Sequence, residues 1–239
     1  LFRSGVKTKW YKKVFAVTSV AENEGKSTVA ANIAIALAGR GYKVALVDLD
    51  IRKPSMYKIF DFTQETKSDF YDALSNKVFL DKLTFHRYKK SNLIIAFNKK
   101  SYDTSYDFFS IKILEKYISV LRQKVDFVII DTPPTLVTAD AVSTAAVADK
   151  TLLVVRTDTV AVQDINDAIL AIRDAGGKLA GCILNDVYKP FTLFGQMGTD
   201  ETGYYGSIYR SNYGSGNSHS SNSEGFTENP SNSYYEIEE

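Results

Sequence analysis

The amino-acid sequence predicts a doubly wound α/β fold on a mostly parallel sheet, followed by a tail that stays outside the core. Three features carry this prediction. Short, near-continuous apolar runs alternate with helical stretches along residues 14–185, as parallel strands covered on both faces require. The first run passes into the first helical stretch through a turn ending in Gly25, Lys26 and Ser27. Beyond Gly198 the aliphatic residues all but vanish, with only Ile208 and Ile237 left among Ser, Asn, Gly and Tyr.

The elements follow in order. Strands are expected at residues 14–18, 44–48, 92–97, 127–131, 151–156 and 179–185. Helices are expected at 28–39, 110–124, 139–148 and 162–176, and a short one at 68–76. The helix at 110–124 places Ile111, Leu114, Ile118 and Leu121 near helical spacing, which marks a packing face. In such a sheet, ligands bind beyond the carboxyl ends of the strands.

Composition bounds the rest. With 239 residues and 44% hydrophobic content, the chain buries one large core, read here as residues 1–198, with a flexible tyrosine-rich tail at 199–239. The tail holds seven acidic residues and one basic residue, Arg210, which makes it −6 and the remainder +7. So little apolar surface cannot offset the entropy of ordering, and the tail is expected to be disordered. No apolar run approaches the roughly 18 residues of a membrane span, and residues 1–10 lack a signal peptide's apolar region. The lone Cys182 excludes a disulfide framework, fits a reducing cytosol, and is expected as a small core residue. Two histidines, His86 and His219, cannot build a metal site with it. The basic cluster Lys7, Lys9, Lys12 and Lys13 reads as a solvated flank to the first strand, with a face toward anionic lipid as the alternative. Leu1 in place of Met is expected to mark either a segment cut from a longer polypeptide or the removal of a tag.

The chemistry concentrates at strand ends. Residues 19–28, ending in Gly25, Lys26, Ser27 and Thr28, form the phosphate cradle of P-loop NTPases, in which backbone N–H groups and a helix N-terminus hold anionic oxygens. Lys26, expected to face solvent, would reach the β- and γ-phosphates, and Ser27 would ligate Mg²⁺. Val20 stands where the general pattern has Gly; Asn23, which tolerates left-handed backbone, can serve the turn, with Glu24 beside it. The second strand delivers Asp48 and Asp50, expected on the same side, followed by Arg52 and Lys53. The strand at 127–131 ends in Asp131 before Thr132, Pro133 and Pro134, the pattern of a carboxylate that holds Mg²⁺. Motifs of the eukaryotic kinase type, a G-x-G-x-x-G loop, His-Arg-Asp and Asp-Phe-Gly, are absent.

Together the cradle, the paired-Asp strand, the Asp-Thr-Pro-Pro segment, Thr138 to Asp140 and the Leu184–Asn185 pair resemble the bacterial tyrosine kinases of capsule and exopolysaccharide synthesis. These are relatives of the chromosome-partitioning and septum-positioning ATPases. The resemblance implies an ATP- and Mg²⁺-dependent protein tyrosine kinase, with Asp48 as the base for the tyrosine hydroxyl. It implies Asp50 and Asp131 around Mg²⁺, and Asn185 against adenine. It implies autophosphorylation in trans on Tyr204, Tyr205, Tyr209, Tyr213, Tyr234 and Tyr235. The implied partners are ATP and ADP, other copies of the chain, and a transmembrane activator, fused or separate, that docks it at the inner face of the cell membrane; no nucleic acid is expected. The family's Glu-x-x-Arg-x-x-Arg oligomerisation helix is missing from residues 1–13 and is expected upstream. The alternative is a nucleotide-switched positioning ATPase without kinase activity.

Overall fold

The computed structural model describes residues 13–62, 70–71, 85–102, 111–187 and 234–235, all within one compact unit. Of the expected helix at 68–76, residues 70 and 71 are described and helical; its other residues and most of the tail, including Tyr204, Tyr205, Tyr209 and Tyr213, lie outside the described residues.

Eight strands form one sheet in the order β7-β6-β1-β5-β2-β4-β3-β8. They are β1 (Lys13–Ser19), β2 (Val44–Asp48), β3 (Phe85–Arg87), β4 (Leu93–Ala96), β5 (Phe127–Asp131), β6 (Lys150–Arg156), β7 (Leu179–Asn185) and β8 (Tyr234–Tyr235). All six expected strands are present, and every pairing among them is parallel. The short β3, unread in the sequence, runs antiparallel to β4. Five helices are described: α1 (Lys26–Gly39), α2 (Met56–Ile59), α3 (Ile111–Lys124), α4 (Ala139–Val147) and α5 (Val162–Asp174). The four-residue α2 is too short to leave a periodic signal.

Two apolar layers sandwich the sheet. On one face, Ala30, Ala31, Ala34 and Ala38 of α1 pack with Val17, Leu46, Ile129 and Val154. Their small side chains bring the helix backbone close to the strands. On the other, Leu114, Tyr117, Ile118 and Leu121 of α3 cover Val14, Ala45, Val128 and Ile130, the expected packing face except for Ile111, which is exposed at the start of the helix. Asp149 fixes the start of β1 by accepting from the Val14 amide at 2.7 Å and the Arg122 guanidinium at 2.8 Å.

The sheet edges depart from the expectation. Cys182 is exposed, not a core residue: β7 is a terminal strand, and among the described residues the helices leave its middle uncovered. At the other end, Tyr234–Tyr235 pair antiparallel with Phe85 and His86. Two residues of the expected tail thus close the β3 edge, whose unpaired N–H and C=O groups attract any β-prone segment.

Candidate active site

The central strands converge on one end of the sheet. Asp131 is the register partner of Asp48 on β2 and of Val17 on β1. The chain after β5 is tied to the end of β1: Thr18 Oγ1 donates to the Pro133 carbonyl at 2.8 Å and meets Thr135 Oγ1 at 3.0 Å. The Thr135 amide donates to the Ser19 carbonyl at 2.8 Å. These buried threonines carry no chemistry but fix the loop opposite the cradle, and nothing in the sequence singled them out.

The cradle has the predicted backbone. Asn23 and Gly25 adopt φ of 62° and 88°, both left-handed, and α1 opens at Lys26 with the Val29 amide donating to the Gly25 carbonyl at 2.9 Å. A Cβ on Gly25 would lie 2.2 Å from Asn185 Nδ2, so the turn needs glycine for both reasons. Two expected ligands serve the cradle from behind. Glu24 is 1% exposed; its carboxylate accepts from the Ala21 amide at 2.6 Å and the Arg156 amide at 3.1 Å. Asn185 donates to the Glu24 carbonyl at 2.9 Å. Neither side chain lines the cavity, because a tight turn leaves backbone groups that need partners and these two supply them.

Lys26 is not solvent-facing. Its side chain is 11% exposed, with Nζ 2.7 Å from Asp50, 4.0 Å from Asp131 and 3.2 Å from Ser27 Oγ. Burial alone would lower its pKa, but Asp131, Asp50 and Asp48 outweigh that and raise it.

The paired carboxylates differ. Strand alternation ends at Asp48, because the Asp50 amide folds back to Asp48 Oδ1 at 3.1 Å. The other oxygen of Asp48 accepts from the Ser55 and Met56 amides, each at 3.2 Å. Asp48 is wholly buried and holds the start of α2, while Asp50 lines the cavity beside Lys26. Burial, then Asp131 and Asp50, push the pKa of Asp48 well above the carboxylate range. Burial also raises Asp131 to about 6, opposed by Lys26 and the neighbouring Ser27 hydroxyl. Neither oxygen of Asp131 has a well-formed hydrogen bond.

A cavity of about 420 Å³ opens between the cradle, the β2–α2 loop and the β5–α4 loop, within the usual size of small-molecule sites. Asn23, Gly25, Lys26, Ser27 and Thr28 form one wall; Arg52, Lys53, Ser55, Lys58 and Ile59 form the second; Pro133, Pro134, Val137 and Thr138 form the third. Ser55, Lys58, Ile59 and Val137 were missed from the sequence, since only the fold brings them to the cradle. The strand β8, formed by Tyr234 and Tyr235, stands three places from β2, beyond β4 and β3.

A family model described as an AAA domain matches residues 12–179. The tyrosine-protein kinase YwqD of Bacillus subtilis (strain 168) is 30% identical over 203 residues, covering 81% of this chain and 78% of that protein. This chain belongs to the bacterial tyrosine kinases. Among solved structures, the chimerical protein CapA2B2 superposes with a TM-score of 0.67 at 27% identity, covering 74% of this chain and 77% of that one. The septum site-determining protein MinD of Pyrococcus horikoshii OT3, complexed with Mg-ADP, gives 0.61 at 22% identity, covering 72% of this chain and 69% of that one, a likeness of fold alone. The kinase has a nucleotide-binding P-loop fold, and no described helix is long and apolar enough to cross a membrane.

Proposed function

We propose that this capsule-related tyrosine kinase transfers the γ-phosphoryl group of ATP to tyrosines of its own tail, residues 199–239, on other copies of the chain, from a catalytic domain at 1–198. The observation that carries this reading is the buried cluster of Lys26, Asp48, Asp50 and Asp131 beside a left-handed cradle.

The residues fit Mg-ATP. The amides of Gly25 to Thr28 and the α1 N-terminus favour phosphate oxygens, and Lys26 can exchange Asp50 for them. Among the described residues no three His, Cys, Asp or Glu side chains converge on a metal position. Mg²⁺ needs few protein ligands when phosphates and water complete its octahedron, and Ser27 with Asp131, whose oxygens lack a hydrogen bond, and with Asp50, once Lys26 turns from it to the phosphates, would hold it. When bound, the ion would neutralise charge on the phosphates.

A bond forms between the tyrosine oxygen and the γ-phosphorus, the bond to the β,γ-bridging oxygen breaks, and ADP leaves. The hydroxyl proton passes to the Asp48–Asp50 pair, of which Asp50 faces the cavity and Asp48 stands behind it. Positioning and charge stabilisation supply most of the rate. A membrane-docked activator, fused or separate, would place the kinase at the inner face of the cell membrane.

Incubating the protein with Mg-ATP and locating phosphate by mass spectrometry tests this. Phosphate on the tail tyrosines, lost in Lys26→Met, is the expected result; ATP hydrolysis with unmodified tyrosines would favour the positioning ATPase. Asp48→Asn separates roles: as proton acceptor it should lose transfer on the order of 10²- to 10⁴-fold while retaining ATP binding. Equal loss of both would make it the brace of α2.

A further inference from the structure

Away from the cradle, the cavity mouth has a character that phosphate binding does not explain. Ile59 on α2 and Val137 on the β5–α4 loop form apolar lips, 40% and 54% exposed. Between them stand Arg52, Lys53 and Lys58. Lys53 is paired with Glu22, whereas Lys58 lies over the Tyr57 ring, 5.4 Å from its centroid. Arg52 Nε, Ser55 Oγ and Thr138 Oγ1 are buried on these walls without a hydrogen-bond partner, a costly arrangement unless a ligand completes it.

The charge that would complete it lies in this chain. Asp200 and Glu201 precede Tyr204 and Tyr205, while Glu236, Glu238 and Glu239 follow Tyr234 and Tyr235. Tyr209 and Tyr213 instead flank Arg210, the one basic residue of the tail.

We propose that this mouth is the acceptor subsite, and that it selects tyrosines flanked by acidic residues of the tail. The proposal rests on the kinase reading above and adds a sequence preference to it. Ile59 and Val137 seat the flat faces of the tyrosine ring, and the unpartnered donors of Arg52, Ser55 and Thr138 meet acceptor carbonyls or carboxylates. Lys58 and Lys53 draw in the flanking carboxylates. Such attraction between exposed charges weakens as salt rises. Tyr204, Tyr205, Tyr234 and Tyr235 are therefore modified before Tyr209 and Tyr213.

The test uses the full chain with Mg-ATP and two peptides, one of residues 231–239 and one with Glu236, Glu238 and Glu239 replaced by Gln. The acidic peptide should have the higher kcat/KM, on the order of tenfold for several weak charge pairs. That ratio should shrink in 0.5 M salt, on the order of the screening expected there, and should vanish or invert in Lys58→Glu. Lys58 is exposed, so this variant keeps the core. Equal rates for both peptides would overturn the subsite while leaving the kinase reading in place. If neither peptide nor the chain's own tail acquires phosphate, the kinase reading falls and the subsite with it.

Discussion

β5 and β7 look alike as sequence and behave differently as structure. Both are short apolar runs, Phe127–Asp131 and Leu179–Asn185. In β5, flanked by β1 and β2, Val128, Ile129 and Ile130 are at most 1% exposed. In β7, which has β6 on one side alone, Leu184 is 59% exposed and Cys182 is open to solvent. An apolar run therefore identifies a strand, while its place in the sheet decides what it buries. The site follows the same division: Asp48 and Asp131 end central strands and are wholly buried, which raises their pKa values and gives Lys26 its partners.

The largest expected effect breaks the centre. Lys26→Met should abolish tyrosine phosphorylation, and it should also weaken the fold by about 3–5 kcal/mol at neutral pH, because it leaves buried carboxylates without their cation. Kinase assay and urea unfolding read the two effects separately; unchanged stability would mean that the carboxylates are better solvated than their burial indicates.

Next comes Ile129→Ala, which should cost about 2–5 kcal/mol for truncating a fully enclosed side chain. Leu184→Ala at the edge sharpens the contrast: about 1 kcal/mol or less, since much of that side chain already meets water. Comparable urea midpoints for the two variants would refute the division between centre and edge.

A smaller effect concerns the β3 edge. His86 packs between Phe62 and Phe97, with ring centroids at 5.2 and 4.6 Å. Burial, then Lys99, lowers its pKa from 6.5 to about 4. The fold favours neutral His86, so its contribution is complete above pH 6.5 and is lost as pH falls from 6.5 towards 4. After allowance for solvent screening near an edge, His86→Gln should flatten that acid limb by about 1–2 kcal/mol. Unfolding measured at pH 7 and pH 5 checks it.

The smallest effect is Cys182→Ser, expected within about 0.5 kcal/mol, with the native thiol open to an alkylating reagent. A protected thiol in the native chain would show that other residues cover the β7 face.

Much of this was legible in the sequence because it depends on local rules. The alternation of apolar runs and helical stretches specified a parallel sheet, and Asn23 and Gly25 specified the left-handed turn, since few other residues adopt positive φ without strain. The Gly-Lys-Ser triplet and the aspartates at strand ends marked the site by residue type and spacing. What only the tertiary structure decided are properties that arise between segments distant in the chain. Strand order made Cys182 exposed and Ile129 buried. The Asp50 amide, folding back to the Asp48 carboxylate, separated the two side chains, while the Ala21 and Arg156 amides claimed the Glu24 carboxylate and the Glu24 carbonyl claimed Asn185. The loops after β2 and β5 carried Lys58, Ile59 and Val137 to the mouth of the cavity. No periodicity records such placements, because burial and pairing are set by neighbours that sequence proximity does not supply.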